Sequence, residues 1–357
     1  MRSEIVNQFR IGGTVQEIVP LGNGLINDTY LVRTAEADKP DYVLQRINHH
    51  IFTDVELLQH NIEAVTNHLR KKLEAEGVGD IDRRVLRFVP TADGKTYSFD
   101  GENYWRMSVY IPDTLTISEV TPQSSYDCGR AFGRFQQQLT DLDEPLGETI
   151  PDFHNMELRL RQLREAVQAD QAGRLKEVEA EVSFIEAHGE AMCLAEQLHR
   201  EGLLPKRICH CDTKVNNMLF DREGRVLCVI DLDTVMPAYV FSDYGDFLRT
   251  ASSTQPEDSP DLDAIAFRWD IFEAFTRGYL ESAGSFLTPV EREHLPFAVA
   301  LFPFMQATRF LTDYLNGDTY YKTTYPEHNL VRTRNQLRLF EIVQAKREEM
   351  AKSTQGS

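Results

Sequence analysis

Residues 208–231 read ICHCDTKVNNMLFDREGRVLCVID, and the placement of polar residues among apolar ones here decides the fold. Two short apolar runs, 207–211 and 217–220, precede a turn at 221–225, and a third run, 226–230, ends on Asp231. β-Branched residues and the Arg-Glu-Gly-Arg turn favour a hairpin over a helix. Asp212, Asn217 and Asp231 stand at the ends of apolar runs, where strands would deliver them to a cleft. Taken singly they read as turn formers and strand-end caps. The full spacing, His210-x-Asp212-x-x-x-x-Asn217 and then Ile230-Asp231, is far more specific than any one of them.

That spacing matches the catalytic layout of protein-kinase-like phosphotransferases. The residue types suit the chemistry. Phosphoryl transfer to a hydroxyl needs an acceptor for the departing proton, and Asp212 supplies a carboxylate. Mg²⁺ wants hard oxygen ligands and keeps several waters, so one amide oxygen, from Asn217, and one carboxylate, from Asp231, suffice beside the ATP phosphates.

A chain of 357 residues exceeds one average domain, so two parts are expected. Hydrophobic residues make up 41% and charged ones 26%, the ordinary balance of a soluble globular protein. No run approaches 18 apolar residues, and the N-terminus MRSEIVNQFRIGG lacks the apolar core of a signal peptide, which predicts a cytoplasmic protein without a membrane span. The formal net charge of −18 disfavours nucleic acid as a partner. Five cysteines, Cys128, Cys193, Cys209, Cys211 and Cys228, lack zinc-finger spacing and read as buried free thiols.

Outward from the hairpin, residues 15–34 suggest two strands joined by Gly22-Asn23-Gly24, a turn whose backbone N–H groups could face phosphates. Residues 41–48, DYVLQRIN, predict a third strand. A kinase carries Lys there to hold the α/β-phosphates. This chain has Gln45 and Arg46, which alternation sends to opposite faces, so only one of the two can meet the nucleotide. Residues 54–75 place Val55, Leu58, Ile62, Val65, Leu69 and Leu73 on one helical face, with Asp54 as N-cap. Glu63 on that helix is either solvated or paired with the basic strand residue. Strands are predicted at 85–89, 96–99 and 104–110. The break at Ile111-Pro112-Asp113 marks the boundary between residues 1–110 and 111–357. Beyond it helices dominate, at 124–139, 264–279, 289–315 and 330–350. Asp246 is expected to brace the catalytic loop.

With these residues laid out, the chain resembles the aminoglycoside-phosphotransferase/choline-kinase superfamily over nearly its whole length. The hexosamine 1-kinase members are the nearest in pattern. The stretches that carry the resemblance are LGNGLINDTYLV, YVLQRIN, ICHCDTKVNNMLFD, VIDLDTVMPAYVFSDYGDFLR and RFLTDYL with YYKTTYPEHNLVRTRNQLRLFE. The resemblance implies an α+β, bilobal protein-kinase-like fold. A small β-rich nucleotide lobe (1–110) would precede a larger helical catalytic and substrate lobe (111–357). It implies ATP and Mg²⁺ as cofactors and transfer of the γ-phosphate to the anomeric hydroxyl of GlcNAc or GalNAc, a small-molecule partner. By position it makes Asp212 the base and Asn217 and Asp231 the metal ligands. It puts Gly24, Asn27, Gln45 or Arg46, and Tyr110–Ile111 on the nucleotide side. Cys211 stands where the superfamily often has Gly. For the sugar, Asp28, Arg309 and Asp313 are the candidates, the last two one helical turn apart. Two alternatives stand beside this one: a kinase for another small alcohol (aminoglycoside, choline or homoserine), and a catalytically silent nucleotide-binding protein.

Overall fold

The computed structural model describes residues 2–22 and 26–355. In chain order the elements are α1 (Arg2–Val6), β1 (Val15–Pro20), β2 (Asp28–Thr34), β3 (Tyr42–Ile47), α2 (Val55–Ala75), β4 (Tyr97–Phe99), β5 (Tyr104–Val109), α3 (Pro122–Gln138), α4 (Met156–Ala169), α5 (Glu179–Met192), α6 (Leu194–Arg200), β6 (Arg207–Cys209), β7 (Met218–Phe220), β8 (Val226–Val229), β9 (Met236–Ala238), α7 (Phe241–Ala251), α8 (Trp269–Ala283), α9 (Pro289–Glu293), α10 (Leu295–Leu315), α11 (His328–Gln344) and α12 (Arg347–Gln355). The chain divides into two compact units. The first comprises Met1–Thr116, Asp141–Pro151 and Met218–Met236; the second comprises Ile117–Thr140, Asp152–Asn217 and Pro237–Ser357.

The first unit is built on a five-stranded antiparallel sheet of order β1-β2-β3-β5-β4. Alternation along β3 buries Tyr42 and Leu44, Ile47 is buried where the strand ends out of phase with them, and β5 adds Trp105 and Met107. Against Tyr42, Leu44, Trp105 and Met107 pack Ile5, Val6 and Phe9 from the N-terminal helix and its exit. Helix α2 starts where expected: the Asp54 carboxylate accepts from Leu57 N–H at 2.9 Å, satisfying one of the orphan donors of the first turn. Its buried face is the predicted stripe of Leu58, Ile62, Val65, Leu69 and Leu73. The hairpin of the opening stretch is β7 paired antiparallel with β8. The strand expected at 85–89 does not form. Phe88 makes a single bridge to Ser108, and the segment otherwise runs as irregular chain.

The second unit is helical. Helices α3 and α8 approach closely because glycines line their contact. A Cβ on Gly278 would lie 2.1 Å from the Tyr126 carbonyl, and one on Gly129 would lie 2.3 Å from that of Phe275. Helix α10 is buried along most of its length, hence its near-continuous apolar sequence. The apolar stripe expected at 289–315 divides into α9 and α10, and that at 330–350 into α11 and α12. All five cysteines are free and four are buried. Among the described residues no helix is long and apolar enough to cross a membrane.

Candidate active site

In the second unit, β6 leads into the segment that carries His210, Asp212 and Asn217. A buried carboxylate on α7, Asp243, holds this segment. Its Oδ2 accepts from His210 N–H at 3.0 Å, its Oδ1 from Cys211 N–H at 2.8 Å, and its Oδ2 also from the Gln136 amide at 2.8 Å. The Thr213 hydroxyl donates to the Asp243 carbonyl. Burial pushes the Asp243 carboxyl above its usual range, against the pull of His210 and these N–H groups. The bracing role expected of Asp246 therefore belongs to Asp243, one turn earlier on the same helix. Asp246 instead pairs with Arg249 at 3.3 Å.

Cys211 has φ 63°, in the left-handed region that glycine adopts without strain. That is the physical reason for a Gly at this position, and here the two bonds to Asp243 hold a cysteine in its place. The Asp212 N–H donates to His210 Nδ1 at 3.3 Å.

Asp212 is half-buried and its carboxylate has two neighbours. The Lys214 ammonium lies 2.9 Å from Oδ2, and Asn217 Nδ2 donates to the same oxygen at 2.9 Å. Burial raises the Asp212 carboxyl, but Lys214, His210 and the Asn217 bond together outweigh it and hold the group below the ordinary range. It is a carboxylate at neutral pH, as a proton acceptor must be. Lys214 escaped the sequence reading, although its place two residues after Asp212 puts a cation beside that carboxylate. Asn217 is 4% exposed and also donates to the Asp212 carbonyl at 2.8 Å. With its N–H groups turned to Asp212, its remaining polar atom is Oδ1, a hard oxygen of the kind Mg²⁺ takes.

In the first unit, Asp231 follows β8 directly. It is exposed and has φ 59°, ψ 60°, a left-handed backbone unusual for a residue other than glycine. An exposed carboxylate on a turn is again a hard oxygen donor that suits Mg²⁺. Among the described residues no group of three or more His, Cys, Asp and Glu gathers as a ready metal cage.

The candidates on the nucleotide side are already engaged with protein. Arg46 donates through Nε to Asp28 at 2.8 Å, its rung partner on β2, and the two exposed side chains neutralise one another. Asp28, expected at the sugar, is thus committed to Arg46. Gln45 donates to the Thr29 hydroxyl at 3.3 Å and accepts from Arg106 Nε at 2.9 Å. Asn27 donates to Asp233 at 2.6 Å and accepts from Asn48 N–H at 2.9 Å. Glu63 is half-buried and accepts from the Thr96 hydroxyl. The Tyr110 N–H bonds the Asp41 carbonyl at 2.9 Å, and Ile111 is buried. Gly24 lies outside the described residues. Arg106 and Asp233, neither of them expected, form a buried ion pair in this unit.

Arg309 and Asp313 on α10 take different roles. Asp313 is 4% exposed and accepts from the N–H groups of Thr319, Tyr320 and Tyr321 at 2.9, 2.8 and 3.0 Å, and from the Asn329 amide at 2.9 Å. Instead of facing a ligand beside Arg309, its carboxylate pins the loop that follows the helix. Arg309 is half-buried among the rings of Phe153, Tyr320 and Tyr321, 5.3–5.7 Å from their centroids, and donates to Gln306 at 3.2 Å. Burial and Arg309 together push Arg159 down to about 10. His154 is held neutral by burial and by Arg309, Arg159 and Arg249.

The model of a family described as "Phosphotransferase enzyme family" matches residues 17–281. Among solved structures, an aminoglycoside phosphotransferase from Alicyclobacillus acidocaldarius superposes with a TM-score of 0.63 at 12% identity, over 100% of this chain and 97% of its own. An amicoumacin kinase, in complex with AMP-PNP, Ca²⁺ and Ami, gives 0.61 at 14% identity, over 96% and 92%. An ethanolamine kinase from Plasmodium vivax gives 0.58 at 14% identity, over 92% and 84%. At such identities the likeness is one of fold.

Proposed function

Since the chain belongs to the phosphotransferase enzyme family, we propose that it is an ATP- and Mg²⁺-dependent kinase for the anomeric hydroxyl of N-acetylhexosamines, GlcNAc or GalNAc. Asp212 accepts the hydroxyl proton. Lys214 keeps that carboxylate ionised and offers a cation to the transferring phosphoryl. Asn217 and Asp231 are the proposed metal ligands, and the ion when bound neutralises charge on the phosphates. The amicoumacin kinase bound to an ATP analogue and a divalent cation supports this cofactor pair.

The observation that carries the substrate class is the charge around Arg309. Solved relatives include kinases for choline and ethanolamine, whose substrates are cations. Here Arg309 sits among the rings of Phe153, Tyr320 and Tyr321 and pushes on the like charge of Arg159, a setting that repels a cation. Arg249, which pairs with Asp246, lies within electrostatic reach of both His154 and, through Asp246, Asp212. A neutral, hydroxyl-rich ring suits this setting: guanidinium donors meet hydroxyl and acetamido oxygens, and the exposed Tyr320 offers its face to the apolar side of the sugar.

ADP release with GlcNAc and GalNAc, against choline, homoserine and kanamycin, tests the proposal. Turnover with the hexosamines and a phosphate on the anomeric oxygen, read by phosphorus NMR, is the expected result. Turnover confined to a cationic alcohol would replace it with the second reading. ATP binding without turnover of any acceptor would favour the silent one.

A further inference from the structure

A buried cation of the first unit lies on a strand where the kinase pattern has none. Arg106 lies on β5, directly across the rung from Gln45 of β3, and is 2% exposed. Its guanidinium touches three elements. Nε donates to Gln45 Oε1 at 2.9 Å, Nη1 reaches Gln59 Oε1 on α2 at 3.5 Å, and Nη1 lies 2.5 Å from Asp233 Oδ1. The other carboxylate oxygen of Asp233 accepts from Asn27, the residue just before β2. The backbone around Asp233 is clamped as well. Its carbonyl accepts from the Thr149 hydroxyl at 3.0 Å, and that of Val235 from the Asn61 amide at 2.9 Å.

Two residues before Asp233 stands Asp231 in its left-handed conformation. Such a backbone costs free energy and persists only where its surroundings over-determine it. A buried ion pair is a poor choice for stability alone, because apolar residues of similar volume often serve as well or better. A planar guanidinium with acceptors on three elements does fix direction. We propose that Arg106 and Asp233 are positioning residues that lock the 231–235 turn and so aim the Asp231 carboxylate at the metal–phosphate end of the nucleotide. The pair does from inside the sheet what a strand-3 lysine would do by touching phosphate. The inference deepens the proposed function and rests on its assignment of Asp231.

The test is calorimetric ATP binding to the full chain with and without MgCl₂. Wild type is compared with Asp233→Asn and with the paired apolar variant Arg106→Met/Asp233→Leu, thermal unfolding being recorded for each. Binding of ATP alone should stay within about twofold of wild type, while the gain in affinity on adding Mg²⁺ falls by about tenfold or more, as for other residues that orient a metal ligand. In parallel kcat should fall with the sugar KM nearly unchanged. The paired variant should recover thermal stability but not the Mg²⁺ gain. If stability and Mg²⁺ gain return together, the pair is structural filling and the inference fails; a full Mg²⁺ gain in Asp233→Asn overturns it too. A wild type without any Mg²⁺ gain would instead bring down the metal assignment of Asp231, and this inference with it.

Discussion

A side chain's partners decide what it can still do. Asp212 has its charge held by Lys214 and one oxygen fixed by Asn217, which leaves a carboxylate aimed and ionised. General-base help from such a group is worth roughly 10²–10⁴ in rate. Asp212→Asn should therefore cut kcat by at least about 10² while ATP affinity changes little; if Asp212 only braced the loop, kcat would barely move. Asp246, nearby, behaves oppositely. Burial pushes it up to about 6, against Arg249 and with help from the Asp212 charge. The folded chain thus holds this proton more tightly than the unfolded one. The resulting stability is fully present below about pH 4, the unfolded value, and is lost as pH rises through about 6, an effect on the order of 1–3 kcal/mol. Asp246→Asn removes the titration, so its Tm should gain on wild type between about pH 4 and 7; parallel Tm–pH curves would show that Asp246 does not titrate there. The sequence made Asp212, Asn217 and Asp231 legible because their spacing belongs to local chain. Arg106 and Asp233 were not legible, since 127 positions separate them and neither stands in a motif position. Asp243 was missed for a related reason: two acidic residues one turn apart on α7 look alike until one is seen to meet the His210 and Cys211 N–H groups.

Elements with a strong period and a capped start were readable. Helix α2 and strands β1, β2, β3 and β5 stand close to where alternation and helical spacing put them. The segment 85–89 shows the limit: its apolar alternation is that of a strand, but most of its backbone groups have no ladder to join, and only Phe88 bridges to Ser108. The loop after α10 is ordered by chemistry that no local pattern announces. Asp313 gathers three consecutive N–H groups, and a carboxylate without them would be hard to bury. Asp313→Ala would leave those donors and the Asn329 amide without their acceptor, at a cost of about 3 kcal/mol or more. A Tm drop of several degrees, faster proteolytic cutting within 316–329 and a raised KM for the proposed sugar acceptor are expected, because Tyr320 and Tyr321 would lose their anchor beside Arg309. An unchanged KM in a destabilised Asp313→Ala would take this loop out of sugar binding.

At the scale of the whole molecule the run of strand patterns followed by helical ones was a fair guide: a β-rich unit and a larger helical one are both present, with the kinase-like topology of the solved relatives. Less visible was that the first unit is assembled from three separate stretches of chain. Residues 1–116 hold the sheet and α2 but not Asp233, so Arg106 would be buried without its counter-charge and Asn27 without its acceptor. Breaking a buried pair from one side typically costs about 3–5 kcal/mol, a large share of a small unit's stability. The fragment 1–116 should accordingly show no cooperative thermal transition by circular dichroism. Adding a peptide spanning 218–236 should not rescue it fully, because Thr149 and Gly147, which bond the Asp233 carbonyl and Asn61, are missing too. The same threading sets a schedule for biosynthesis. A ribosome adding roughly 5–20 residues per second takes on the order of 6–24 seconds to travel the about 120 residues from Thr116 to Met236. Through that interval the nascent sheet waits with Arg106 lacking its counter-charge, and chaperones have time to meet it before its last segment leaves the exit tunnel.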